Sequence, residues 1–95
     1  MSTNVSKLRV KVTPATSSDM DRYVTVATTS GPISFFVPCE LLDSKNEVVQ
    51  DVYDWLSVTL INVQENSALI QLPVDPLWGG RRVVVHAFDV IPREE

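Results

Sequence analysis

Ser57-Val58-Thr59-Leu60-Ile61-Asn62-Val63-Gln64-Glu65-Asn66-Ser67-Ala68-Leu69-Ile70-Gln71-Leu72 is the stretch on which the fold turns. Residues 57–63 and 68–72 are rich in β-branched and apolar side chains, contain neither Pro nor Gly, and flank the polar turn Gln64-Glu65-Asn66. Such side chains suit a pleated, half-buried surface, and the polar triplet between them supplies a reversal, so the stretch predicts a β-hairpin.

The same grammar extends in both directions. Pro14, Pro32, Pro38, Pro73, Pro76 and Pro92 all fall between apolar runs and never inside them, as expected where Pro cannot donate to a strand ladder. Residues 7–13 alternate strictly, with Leu8, Val10 and Val12 on one face and Lys7, Arg9 and Lys11 on the other, the pattern of a half-buried strand. Residues 23–28 and 33–37, joined through Ser30-Gly31-Pro32, predict a first hairpin, and residues 82–88 after Gly79-Gly80 predict a sixth strand.

Between the hairpins the pattern changes. Ser44 and Glu47 have capping-box spacing, and at about 100° per residue Val48, Val49, Val52, Tyr53, Trp55 and Leu56 share one face. Asp43, Glu47, Asp51 and Asp54 fall on the opposite face, so an amphipathic helix is expected between the third and fourth strands. The order predicts a mainly β domain, a small five- to six-stranded barrel of OB-type or SH3-like form with that one helix. A β-grasp-like α+β arrangement fits the same order. The run from Trp55 to Ile91, with Leu60-Ile61 before a polar turn, residues 68–72 after it and Gly80 leading to a final strand, resembles the closing strands of SH3-like and Tudor-like domains. That resemblance implies a binding module.

Bulk properties bound the function. A chain of 95 residues has surface enough for one core, so residues 1–95 are expected to form a single domain, with 1–4 and 92–95 as flexible ends. Hydrophobic and charged contents of 44% and 21% are those of a folded globular protein. No apolar run approaches the length needed to span a bilayer, and Met1-Ser2-Thr3-Asn4 lacks the pattern of a secretory signal, so no membrane association is expected. The single cysteine, Cys39, fits a reducing cytoplasmic setting. Residues 1–22 carry +2 and the remainder −6, for a net charge of −4, and an acidic body weakens the electrostatic capture on which nucleic-acid affinity depends.

Catalysis needs a nucleophile, a proton carrier and a stabiliser of developing charge, and His86 is the only histidine. An enzyme would require His86 to meet Cys39 or Ser34 across the third and sixth strands; a histidine packed along a strand and a small buried cysteine are the commoner outcomes. Glu40 beside Cys39 disfavours a thiolate, and no metal-ligand spacing is present, so neither enzyme activity nor a cofactor or metal is expected.

Three surfaces remain. The carboxylates Glu47, Asp51 and Asp54, with Asp43, form a solvated face, a docking surface for a basic partner, or less readily a cation site. Residues 73–82 combine a proline-stiffened loop with Leu77, Trp78, Arg81 and Arg82, residue types that favour interfaces unless Trp78 plugs the barrel end. Lys7, Arg9 and Lys11, extended by Arg81 and Arg82, form a basic row that either guards a strand or binds single-stranded nucleic acid with Tyr23, Phe35 or Trp78 stacking on bases. The sequence therefore predicts a non-catalytic protein–protein interaction module, an adaptor, assembly subunit or regulator whose partner is another protein. The alternative is a single-stranded nucleic-acid-binding OB-type or SH3-like module. A homodimer is compatible with either.

Overall fold

The structure, a computed structural model, describes residues 5–14, 21–44, 48–75 and 80–92. Among them run seven strands, β1 (Val5–Thr13), β2 (Asp21–Thr28), β3 (Gly31–Pro38), β4 (Val52–Gln64), β5 (Ser67–Gln71), β6 (Arg82–His86) and β7 (Val90–Pro92). Two single 3-10 turns, Cys39–Leu41 and Ala87–Asp89, follow β3 and β6.

Strands β1, β2, β6, β5 and β4 close an antiparallel barrel, with β3 added to the outer edge of β2 and β7 to β1. Period-two alternation explains the closure, since each strand has one apolar row to bury. Leu8, Val10 and Val12 of β1, Val24 and Val26 of β2, Phe35 and Val37 of β3, Leu56 and Val58 of β4, Ala68 and Ile70 of β5 and Val85 of β6 all point inward, joined by Leu42 and Leu72. Full burial of each large aliphatic side chain contributes about 1.5–3 kcal/mol.

The barrel wall is uneven, and the unevenness positions the site. β1 pairs with β4 along its whole length, from Val5↔Thr59 to Val12↔Val52. It pairs with β2 only from Lys11↔Thr25 to Thr13↔Tyr23, and its opposite end takes β7 from Ser6↔Pro92 to Leu8↔Val90. β2 meets β6 through Thr28↔Val85, reinforced by the Thr29 amide donating to the Val84 carbonyl at 2.9 Å. β1 and β2 therefore separate toward the middle of the wall.

The hairpin of residues 57–72 stands, but the helix does not: among the described residues there is no α-helix, and residues 52–56 open the long strand β4. Val52 and Tyr53, which a helix would have buried, are exposed, while Asp54, Leu56 and Val58 turn inward. The physical reason is legible in retrospect. Val52-Tyr53-Asp54-Trp55-Leu56-Ser57-Val58 is strand-prone and alternates with period two once it is read through to Val58, with the acidic Asp54 occupying an inward position. Asp54 is tolerated there because its carboxylate accepts the Ser44 amide at 3.1 Å and the Trp55 amide at 2.7 Å. Glu47, the other half of the proposed capping box, lies outside the described residues. The expected sixth strand also stops short, at His86, where the chain enters the 3-10 turn that leads to the unanticipated β7.

Candidate functional site

Strand β1 presents Lys7, Arg9 and Lys11 on its outer face, opposite Ser57, Trp55 and Tyr53 of β4. Lys7 Nζ lies 2.7 Å from Asp43 Oδ1 and 3.1 Å from Ser57 Oγ, and Lys11 Nζ lies 3.4 Å from Asp51 Oδ2. The two lysines of the basic row thus meet two carboxylates of the expected acidic face. Asp43 and Asp51 are counter-ions to β1, whereas Asp54 is buried and holds backbone amides, so the structure does not place the three on one exposed helix face.

Arg9 is the cation of the row that meets an aromatic ring, its guanidinium 4.2 Å from the centroid of Tyr53. Tyr53 is 64% exposed, so the pair stands at the surface. Where β1 and β2 part, a concavity of about 370 Å³ opens, with Arg9, Lys11 and Tyr53 on one side and Thr25 and Ala27 of β2 alongside. The Ala87–Asp89 turn completes it with His86, Phe88 and Asp89. Tight 3-10 geometry carries Phe88 out of the wall, where it is 78% exposed and its ring stacks on His86, with centroids 5.3 Å apart and planes 14° from parallel.

Chemically the concavity is a mixture of aromatic, cationic and acidic groups. It joins three aromatic rings (Tyr53, His86 and Phe88), a planar guanidinium with five donors, and a second cation, Lys11, with Asp89 as the acid of the turn. His86, expected to pack along a strand, is instead exposed on the stack with Phe88. Ser34 shares a hydrogen bond with Thr25, Oγ to Oγ1 2.8 Å, and Cys39 is half-buried at the start of its 3-10 turn beside exposed Glu40. Among the described residues no three His, Cys, Asp or Glu side chains are grouped to hold a metal ion.

Other anticipated residues are dispersed. Leu77 and Trp78 lie outside the described residues. Arg81 staples the neck of its own loop, donating from Nε to the Leu72 carbonyl and from Nη2 to the Pro73 carbonyl, both at 3.2 Å, with Asp75 3.6 Å away. Arg82 donates to Gln71 Oε1 at 3.4 Å. Phe35 is 5% exposed in the core and is removed from the set able to stack on a base, whereas Tyr23 packs against Phe36 with centroids 4.9 Å apart.

Tyr53 and Phe88 had not been singled out as site residues. Reading residues 52–56 as a strand beside β1 is the signal that brings Tyr53 to Arg9. Nothing in the sequence announces that the chain turns at residue 87 and thrusts Phe88 outward. No helix among the described residues is long and apolar enough to cross a membrane. Comparison with family models, with curated proteins and with solved structures finds no match to this chain.

Proposed function

We propose that this chain is a non-catalytic protein–protein interaction module, an adaptor, assembly subunit or regulator, and that it receives its partner in the Arg9–Tyr53–His86–Phe88 concavity. The carrying observation is Phe88, a large apolar ring left 78% exposed and lining the same concavity as Arg9. Aromatic residues and Arg are the side chains that dominate interface energetics, and a single apolar ring held out by a tight turn is suited to insertion into, or cover by, a partner. The complementary segment carries a carboxylate for Arg9 next to an apolar or planar group for Phe88 and Tyr53.

An SH3-like form of the barrel accords with this role. Strands β4 and β5 about their polar turn, and β6 after Gly80, are the features on which the resemblance over 55–91 rests, while the helix on which the OB-type reading leaned is replaced by the start of β4. The lone Cys39 fits a reducing cytoplasmic setting for such a module.

Selection of a random peptide library on the folded, immobilised protein tests the proposal. Enrichment of acidic peptides bearing aromatic or aliphatic residues, released by soluble wild-type protein and not by an Arg9→Ala, Phe88→Ala double variant, is expected. Failure to enrich any peptide, or release by both proteins alike, contradicts it.

Single-stranded nucleic acid is the second reading, favoured by the flat His86–Phe88 stack. The pairing of Lys7 with Asp43 and of Lys11 with Asp51 works against it, because phosphate contacts supply most of that affinity. A low-salt fluorescence titration with single-stranded oligonucleotides separates the two, since genuine binding weakens steeply as salt rises.

A further inference from the structure

Strand β3 has no described strand on its outer edge. The direction of its backbone groups follows from the neighbouring ladder. Thr29 donates its amide toward β6, so odd-numbered positions of β2 face β1 and β6 and even-numbered positions face β3. Thr28↔Gly31, Val26↔Ile33, Val24↔Phe35 and Arg22↔Val37 are then the hydrogen-bonded pairs between β2 and β3. The amide and carbonyl groups of positions 32, 34, 36 and 38 consequently project from the free edge.

Two of those four positions are Pro32 and Pro38, which have no N–H. The free edge offers amide donors at Ser34 and Phe36 alone, and its pattern is symmetric about Phe35: donors one residue away on each side, prolines three residues away. Charge, the usual means of guarding an edge, is absent from the strand, since Gly31-Pro32-Ile33-Ser34-Phe35-Phe36-Val37-Pro38 contains no ionisable side chain. Phe36 adds a ring 47% exposed on the outer face.

We propose that this edge pairs with the same edge of a second copy of the chain, antiparallel, about a two-fold axis through Phe35. In that register Ser34 of each copy faces Phe36 of the other, and both donors of each copy find a carbonyl. Pro32 faces Pro38 at either end, so the ladder begins and stops with the prolines. Ser34 and Phe36 share the outer face, so the second copy's Ser34 sits beside the exposed Phe36 ring. A self-complementary edge used once by each copy closes a dimer and does not propagate. This surface is separate in kind from the concavity and does not depend on it.

Analytical ultracentrifugation of the full chain across a concentration series, with amide hydrogen exchange at both extremes, tests the proposal. Dimer is expected to accumulate with concentration, and exchange at Ser34 and Phe36 is expected to slow on the order of tenfold or more between monomer and dimer, while the turn amides of Thr29 and Ser30 do not change. Ser34→Pro removes an outward donor that serves no bond to β2, and is expected to be monomeric where wild type is dimeric. Ser34→Ala loses the Thr25 hydroxyl contact but keeps the amide, and is expected to dimerise. A chain monomeric at the highest attainable concentration overturns the proposal, as does a dimer whose Ser34 and Phe36 amides gain no protection, including one seated on a different surface. Should Ser34→Pro not fold, the exchange of the wild-type amides decides the matter.

Discussion

The guanidinium of Arg9 lies 4.2 Å from the ring centroid of Tyr53, two positions along β4 from its cross-strand neighbour Trp55. This diagonal contact ties the basic face of β1 to a residue whose place in a strand decides whether the site exists. Exposed cation–π contacts contribute about 0.5–1 kcal/mol. Tyr53→Leu is therefore expected to cost less than about 1 kcal/mol in urea denaturation while weakening any ligand that needs Arg9 held in place. A loss of several kcal/mol would show that Tyr53 belongs to the core.

Asp54 makes the opposite prediction. Its buried carboxylate serves the amides of Ser44 and Trp55, tying the segment after the Cys39–Leu41 turn to the start of β4. Asp54→Ala leaves those donors without their acceptor and is expected to lower stability by about 1–3 kcal/mol. Asp54→Asn keeps one acceptor oxygen and is expected to fall between the two. Equal stability of all three proteins in a denaturant series would remove Asp54 from this role.

The core prediction concerns Ile70, fully buried in β5 between β4 and β6. Ile70→Ala is expected to cost about 2–5 kcal/mol, the transfer and cavity terms together. Thr59→Ala, an exposed position on the neighbouring strand, is expected to change stability by less than about 0.5 kcal/mol.

Gly31 separates backbone strain from packing. A Cβ at this position meets nothing within 4 Å, yet φ is +127°, a region that other residues rarely adopt. Gly31→Ala is expected to cost about 1–3 kcal/mol through the backbone alone. Ser30→Ala in the same turn serves as the control, with little change.

The strands were legible wherever period two ran uninterrupted, as in Leu8-Arg9-Val10-Lys11-Val12 and in the hairpin of residues 57–72. The segment at Val52 was not, because its apolar residues satisfy a helical period when the window ends at Leu56, and a buried acid at 54 reads as a polar face. The neighbouring Trp55 amide and the Ser44 amide, the latter brought close by tertiary structure, make the inward Asp54 acceptable. The site was half legible for the same reason. Arg9 was visible on the outer face of β1, but Tyr53 was assigned to a helix and Phe88 to a strand. The opposed charges of β1 and residues 43–54 were both seen; that Lys7 meets Asp43 and Lys11 meets Asp51 is a property of register, which composition does not carry.

Phe88 decides whether the concavity is where this chain meets its partner. A fluorescently labelled peptide from the library selection is titrated by anisotropy against wild type, Phe88→Ala and Gln64→Ala, the last an exposed position at the far end of β4. Loss of the exposed Phe88 ring is expected to raise Kd about tenfold or more for Phe88→Ala, with Gln64→Ala unchanged and all three equally stable. Binding by Phe88→Ala with the wild-type Kd would show that the partner does not use the concavity.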